Sequence, residues 1–452
     1  MTTRRDFLKK AAAGGALLSV GGILPGFSAK SYSRIVGANE LIRVGVVGFS
    51  DRFKSSLLPG FIAGAKELNF EITALSDIWS RRREEGKKII KDKSGWDVAL
   101  YRNNEELYGS NAVDAVIIST ADFQHALHLA EAANARKHAY VEKPFAETMA
   151  DAKVALKAVK EAGIVVQIGS QRRSGANYQS ANEYIKSGKF GKIVMAEMTW
   201  NVNQPGRWRL PKLCAEIRKE DTDWNRFLMN RPYMEWDPRK YLEYRLFWPF
   251  SSGIPGQWMC HQIDTVHWFT GLAHPRSVAA NGGIYQWQDG RTNADTLTAV
   301  FDYGPLNNPA EGFQVIYSSR FSNSAGGTKE LYFSNGGTLN LDNNTVTSGG
   351  GLGKSEAAAM NMQENLLAEY KLPNISAATG ANTGGDPLTT AHMRNWMECV
   401  KAGNKTTNGP VEAGYNHAIA CSMANAAYRT GMRVTFDETT QEIMAGNKPF
   451  LY

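Results

Sequence analysis

Two short motifs and one strand-turn carry the residue types and spacings on which chemistry would depend. Glu142-Lys143-Pro144 follows the apolar run His138-Ala139-Tyr140-Val141. A lysine at the carboxyl end of a strand in an α/β pattern stands at the mouth of the sheet, where such folds bind ligands. The proline beside it fixes the backbone and removes a donor, so the ammonium is held at a defined angle. The second motif is His261-x-x-Asp264. A helix opening at Pro255 or Gly256 and ending near Gly271 puts Gln257, His261, Asp264 and Trp268 on one face. A polar stripe beside Met259, Ile263 and Val266 suits a cleft wall, and it equally suits a histidine–aspartate pair hydrogen-bonded in a core.

The strand-turn is Leu41-Ile42-Arg43-Val44-Gly45-Val46-Val47-Gly48, and Asp77 closes the following strand, Glu71–Ser76. An acidic residue there takes the ribose hydroxyls of an adenosine and repels a 2′-phosphate, which favours NAD over NADP; Arg81 and Arg82 nearby keep NADP open. The glycine fingerprint of such sites is incomplete, because Ser50 and Phe53 occupy its second and third positions. Serine is small enough for close approach to a diphosphate and its hydroxyl is a donor. Phe53 must pack differently against the sheet. Asp51 opposes an anion unless Arg52 or Lys54 offsets it.

Strand-like runs at Leu41–Val47, Phe70–Ser76, Ala112–Thr120, His138–Val141 and Ile164–Ile168 alternate with helical stretches such as Ala121–Ala135 and Thr148–Ala162. This predicts a parallel sheet covered by helices on both faces over residues 40–169. Residues 170–437 read as an α+β domain with one large, mostly antiparallel, open-faced sheet. Its strands are predicted at Ser277–Tyr285, Asn293–Tyr303, Gly312–Ser318, Thr328–Ser334 and Gly337–Asp342, with helices at Pro387–Ala402 and Val411–Gly431. Ser348–Asp386 reads as a long surface excursion and 438–452 as a tail. The fold class expected is therefore an α/β Rossmann domain followed by an α+β domain.

The 452 residues carry a net charge of +7, part of it in Arg4, Arg5, Lys9 and Lys10. No basic run with interleaved aromatics is present, which argues against nucleic-acid binding. Arg4-Arg5-Asp6-Phe7-Leu8 followed by the weakly apolar Ala11–Leu24 resembles a twin-arginine export signal over 1–29, with cleavage expected near Ser28 or Ala29. It is too short and glycine-rich for a membrane span, so the expectation is a periplasmic protein without a stable membrane anchor, delivered by the twin-arginine machinery. That route moves folded proteins, which implies a cofactor loaded beforehand and held tightly. The four cysteines (Cys214, Cys260, Cys399, Cys421) lack zinc-site spacing and are expected as buried thiols. His125 and His128 stand at helical spacing without a third ligand, so no metal is expected.

Taken in order, these pieces resemble the glucose–fructose oxidoreductase/inositol dehydrogenase (Gfo/Idh/MocA) superfamily. The matching segments are Ser119-Thr120-Ala121-Asp122-Phe123-Gln124-His125, Glu142-Lys143-Pro144, Gly169-Ser170-Gln171-Arg172-Arg173, Thr222-Asp223-Trp224, Gly256–Asp264 and Pro410–Gly414. The resemblance implies an oxidoreductase with bound NAD acting on a sugar, glycoside or polyol, and a homo-oligomer built on the second domain. It implies Lys143 at the reacting hydroxyl and His261 as general acid/base. Gly48, Ser50, Asp77, Thr120, His125, Glu142 and Gln171 are expected at the cofactor, and Arg172, Gln257, Asp264, Arg245 and Trp248 at the substrate. Gln257 replaces an aspartate frequent in the dehydrogenases, so a lysine–aspartate–histidine relay is not expected intact. Redox-neutral glycoside cleavage and a carbohydrate-binding protein without nucleotide are the alternatives. The aromatic run Trp236, Tyr241, Tyr244, Phe247, Trp248 fits either core packing or sugar stacking.

Overall fold

Six short strands, five of them the apolar runs marked in the sequence and the sixth Ala99–Tyr101, form the first sheet, and their register decides where the chemistry sits. The computed structural model describes residues 41–305, 307–373 and 386–451; the expected export signal at 1–29 and part of the expected excursion lie outside the described residues. Strands β1 (Ile42–Val47), β2 (Phe70–Ser76), β3 (Ala99–Tyr101), β4 (Ala115–Ile118), β5 (His138–Val141) and β6 (Val166–Ile168) lie in the order β3-β2-β1-β4-β5-β6, all parallel. β1 and β4 are buried on both faces, as a sheet covered on two sides requires. The covering helices include α1 (Leu58–Leu68), α2 (Ser80–Ser94), α3 (His125–Asn134) and α4 (Met149–Ala162).

Ser76, Val47, Ile118, Val141 and Ile168 pair in one row across the sheet. The next residue of each strand is therefore at the same edge: Asp77, Gly48, Ser119, Glu142 and Gly169. Chain order reverses between β1 and β4, so this edge is the topological switch point of the sheet. Every motif residue that the strand-like runs were expected to deliver arrives there through this register.

Helix α5 (Ala176–Lys186) leads to the second sheet. Its strands are β7 (Ile193–Asn201), β8 (Ser277–Gly283), β9 (Thr296–Tyr303), β10 (Phe313–Arg320), β11 (Thr328–Ser334), β12 (Gly337–Asn340), β13 (Thr345–Thr347), β14 (Tyr370–Lys371), β15 (Val434–Asp437), β16 (Glu442–Ala445) and β17 (Lys448–Pro449). They run β14-β13-β12-β11-β7-β10-β9-β8-β15-β16-β17, antiparallel except for β7 beside β10. In β9 the alternation buries Leu297, Ala299, Phe301 and Tyr303 and leaves the other face half-covered. Against the buried face pack α6 (Cys260–Thr270) and α8 (Val411–Thr430), whose small residues Ala418, Ala420 and Ala424 allow close approach.

Two expectations change here. Of the expected tail, residues 442–445 and 448–449 form β16 and β17 and extend the sheet edge. Helix α7 (Pro387–Ala402), expected with the second domain, packs back on α1 and closes the outer core of the first sheet through Met393, Trp396 and Met397. The central strand β7 was not anticipated. All four cysteines are free, with Cys214 half-buried and the rest buried. Among the described residues no helix is long and apolar enough to cross a membrane.

Candidate active site

The switch-point edge opens into a cleft of about 550 Å³, lined from Gly48 and Asp77 at one end to Trp200, Trp208, Trp258 and His261 at the other. This size suits a bound organic ligand. Gly48 turns out of β1 with φ +82°, and a Cβ there would meet Thr120 Cγ2 at 2.6 Å. The turn is therefore built around glycine, for both conformation and space. Its amide donates to Ser76 O at 2.8 Å and its carbonyl accepts from Ser119 Oγ at 3.0 Å.

The incomplete glycine fingerprint is accommodated by the backbone. Helical structure begins at Asp51 and passes through a π-helical turn, Phe53–Leu57, before α1. The wider turn carries the Phe53 ring into the core, fully buried beside Phe49 at 5.7 Å between ring centroids. Phe53 is absent from the cleft lining, so the ring does not block the mouth. Ser50 closes the turn: its hydroxyl accepts from Phe53 N and donates to Ser119 Oγ, both at 3.1 Å. That O–H is thus engaged within the protein, contrary to the expectation of a free donor. The start of the helix at the mouth supplies the electropositive end of a backbone dipole instead.

The charges around this turn are paired differently from expectation. Arg82 (3.2 Å) and Lys54 (3.3 Å) face Asp51. Burial works against its charge, but these two cations hold its carboxyl below the ordinary value. Arg52 pairs instead with Glu142 at 3.0 Å and donates to Thr389 Oγ1 at 3.2 Å on α7. Gln171, with its amide turned to satisfy both atoms, donates to Gly169 O at 2.8 Å and accepts from Arg52. Asp77 is fixed by the amides of Phe49 and Trp79, both at 2.8 Å. Thr120 Oγ1 is buried in the cleft wall and has no hydrogen-bond partner among the described residues.

An NAD molecule fits these residues. An unpartnered hydroxyl at Thr120, a turn closed to any side chain at Gly48, a helix start and a strand-end carboxylate at Asp77 are the features a dinucleotide needs. Arg82 is committed to Asp51 and Glu85, and Arg81 to Glu216.

Deeper in the cleft, Lys143 Nζ donates to the backbone carbonyl oxygen of Gln257 at 2.6 Å. Burial pushes its pKa below the ordinary 10.5, with Cys260, Glu142 and Asp122 acting the other way. His261 stands on the first turn of α6 against Trp200, with ring centroids 5.7 Å apart. Burial, reinforced by Lys143 and Arg172, pushes its pKa well below 6.5. The imidazole is neutral at pH 7 and is available as a proton acceptor. His125 is a positioning residue: its ring spans Pro144 O (2.8 Å) and Thr120 O (3.2 Å), tying the lysine segment to the β4 loop.

Gln257 reaches a carboxylate that sequence reasoning missed as a site residue. Its amide nitrogen donates to Asp122, while its oxygen accepts from Arg245 Nε at 3.0 Å. Asp122 is fully buried, accepts from Ser251 Oγ at 2.7 Å and lies 3.6 Å from Arg245. The carboxylate missing at position 257 is thus supplied from the loop after β4, by Asp122.

Two expected substrate residues lie outside the cleft lining. Asp264 is bound bidentately by Arg173 at 2.8 and 2.9 Å and is buried. The stretch from Pro255 to Met259 is a π-helical turn, so the stripe expected from ideal spacing is broken between Gln257 and Asp264. Trp248 stacks under Arg429 (4.4 Å) and beside Phe450, on another surface. Arg172 does line the cleft, and its charge is taken by Glu330. Tyr241 and Phe247 join an aromatic core with Trp79 and Phe227, while Tyr241 and Tyr244 also show to the cleft. Trp200, Arg207, Trp208 and Trp258 were missed, although Trp258 sits inside one of the matching segments. Among the described residues no cluster suits a metal ion.

Comparison with known proteins agrees with this geometry. Residues 42–170 match the Gfo/Idh/MocA oxidoreductase family, described as having an NAD-binding Rossmann fold. The chain is 33% identical over 135 residues to 1,5-anhydro-D-fructose reductase from Ensifer adhaerens, covering 28% of this chain and 40% of that one. It is 27% identical over 195 residues to inositol 2-dehydrogenase from Salmonella paratyphi B, covering 43% and 54%. The matches thus span about half or less of those relatives' length. In fold, the likeness extends across both sheets. The WlbA dehydrogenase from Bordetella pertussis superposes with TM-score 0.60 at 18% identity, covering 88% of this chain and 99% of that one. A levoglucosan dehydrogenase superposes with TM-score 0.62 at 15% identity over the same shares. Residues 42–170 thus match an oxidoreductase family described as having an NAD-binding Rossmann fold, and in this chain they are joined to a large, mostly antiparallel second sheet.

Proposed function

We propose that the chain is an NAD-dependent oxidoreductase acting on a hydroxyl of a sugar, glycoside or polyol. One observation carries the reading: Lys143 and a neutral His261 line the same cleft as the Gly48–Asp77 nucleotide mouth. NAD, when bound, supplies the hydride acceptor. The protein's part is to bind and orient the carbinol and to take its proton. His261 accepts the hydroxyl proton, and the Lys143 ammonium stabilises the oxygen as charge develops on it. Gln257 holds the lysine through its backbone carbonyl, and its side chain is held by Asp122 and Arg245. The indoles of Trp200, Trp208 and Trp258 offer faces on which a sugar ring stacks.

The commitment of Arg81 and Arg82 to carboxylates leaves Asp77 to govern the ribose, which supports NAD over NADP. The names of the relatives, a reductase of anhydrofructose and a dehydrogenase of inositol, support the substrate class. We further read the protein as exported by its twin-arginine segment to the periplasm, holding NAD tightly, and assembling through the half-covered face of the second sheet. The test is to denature natively secreted protein, identify any released nucleotide by mass spectrometry, and follow absorbance at 340 nm with candidate sugars and polyols. Reduction by at least one of them is expected. Sugar binding without any NAD binding by calorimetry would reject the enzyme reading in favour of a carbohydrate-binding protein.

A further inference from the structure

The arginines along the substrate end of the cleft are not equivalent. Arg172 pairs with Glu330, Arg245 faces Asp122, and Arg209 faces Glu243 at 3.1 Å. Arg207, on the loop after β7, has no ion-pair partner among the described residues. Its Nε is buried and meets no acceptor. Its guanidinium lies over the rings of Trp258 (5.5 Å) and Trp208 (5.9 Å). Burial, with repulsion from Arg245, lowers its pKa to about 10, so it remains charged at neutral pH and is short of a counter-ion.

The placement of this cation relative to the reacting groups is defined by stacked rings. Trp258 stacks on Trp200 with centroids 5.7 Å apart and planes 14° from parallel, and Trp200 in turn meets His261 at 5.7 Å. Arg207 and His261 thus line the same cleft and are linked through the Trp258–Trp200 stack. The guanidinium fork matches a carboxylate in two parallel hydrogen bonds. The guanidinium of Arg207 balances one negative charge, whereas a phosphate ester carries nearly two.

Resting on the dehydrogenase reading above, we propose that the substrate is an acidic sugar, a uronate or aldonate, whose carboxylate pairs with Arg207 while a ring hydroxyl reaches Lys143 and His261. Arg207 is then a specificity-determining residue rather than a catalytic one.

The experiment compares hexuronates with their neutral hexoses (glucuronate with glucose, galacturonate with galactose) and with glucose 6-phosphate. Binding is read by tryptophan fluorescence and turnover at 340 nm, in the full chain and in Arg207→Gln and Arg207→Lys. At least one uronate is expected to bind about 10- to 100-fold more tightly than its hexose, from the worth of a charged hydrogen-bonded pair. Arg207→Gln should abolish that ratio, and Arg207→Lys should restore part of it, at unchanged melting temperature. Neutral hexoses bound and oxidised as well as uronates, or glucose 6-phosphate preferred over them, would overturn the proposal and leave the dehydrogenase reading standing. If no sugar is oxidised, that reading fails; Arg207-dependent uronate binding would still support the carboxylate site, and equal quenching by acid and neutral sugars would overturn it.

Discussion

Gly48→Ala is the sharpest perturbation of the nucleotide mouth, because the structure splits its cost into two separable parts. The residue has φ +82°, where an L side chain costs about 1–2 kcal/mol. The added Cβ would also stand 2.6 Å from Thr120 Cγ2 and 3.2 Å from Ser119 O. Forcing such a contact apart costs about 1–3 kcal/mol in a well-packed region. The sum, about 2–5 kcal/mol, is divided between folding stability and NAD affinity, since the turn relaxes only by moving into the mouth. Thr120→Ser removes the offending methyl and keeps the hydroxyl. The double variant should therefore recover about 1–3 kcal/mol and retain only the backbone part. Calorimetric titration of NAD and denaturant unfolding of the four proteins measure both shares. An alanine at 48 that binds NAD like wild type, or a double variant with no recovery, would refute this account of the turn.

Other consequences follow from the buried titratable groups and the link between the domains. The pH profile of oxidation should keep its acidic limb below 6.5, because His261 stays neutral there, and show its alkaline limb below 10.5, where Lys143 loses its proton; limbs at the ordinary values would contradict these placements. His392 accepts from Ser174 Oγ (2.6 Å), donates to Ile168 O (2.8 Å) and is held at about 4 rather than 6.5 by burial. Its folded pKa is depressed, so the unfolded chain binds the extra proton and stability falls as pH drops from 6.5 to about 4. The loss is about 3 kcal/mol from this residue, and the stability gap between wild type and His392→Gln in urea titrations should narrow by that amount; a pH-independent gap contradicts it. Asp122→Asn should lower kcat by about tenfold with little change in NAD affinity, since it removes a carboxylate that favours the charged Lys143 ammonium and releases the Gln257 side chain; an unchanged kcat would remove Asp122 from the network around the lysine.

The mouth of the first sheet was legible because strand ends are marked by local sequence. Val47, Ser76 and Val141 each end an apolar run, so the local pattern alone assigns Gly48, Asp77 and Glu142 to the strand ends. What was not legible depended on contacts distant in sequence or on departures from ideal helices. Ser50's hydroxyl is taken by Ser119, and Arg52 turns to Glu142 rather than Asp51. The π-helical turns at Phe53–Leu57 and Pro255–Met259 alter side-chain spacing, which sent Phe53 into the core and broke the expected stripe before Asp264. Strand β7 was hidden because Glu197 and Thr199 interrupt its apolar residues in a pattern that reads equally as a helix edge. Asp122 lay within a matching segment, yet its role depends on Gln257 and Arg245, which only folding brings to it.

The central claim is that Lys143 and His261 act together on a hydroxyl in a cleft already able to hold NAD. The most direct measurement is single-turnover reduction at 340 nm by NAD-loaded wild type, Lys143→Ala and His261→Ala with a sugar that the wild type oxidises, alongside NAD affinity for each. The account predicts rates at least about 100-fold lower in both variants with NAD affinity within a few-fold of wild type. A variant that oxidises the sugar at the wild-type rate, or that loses activity only because it no longer binds NAD, would contradict it.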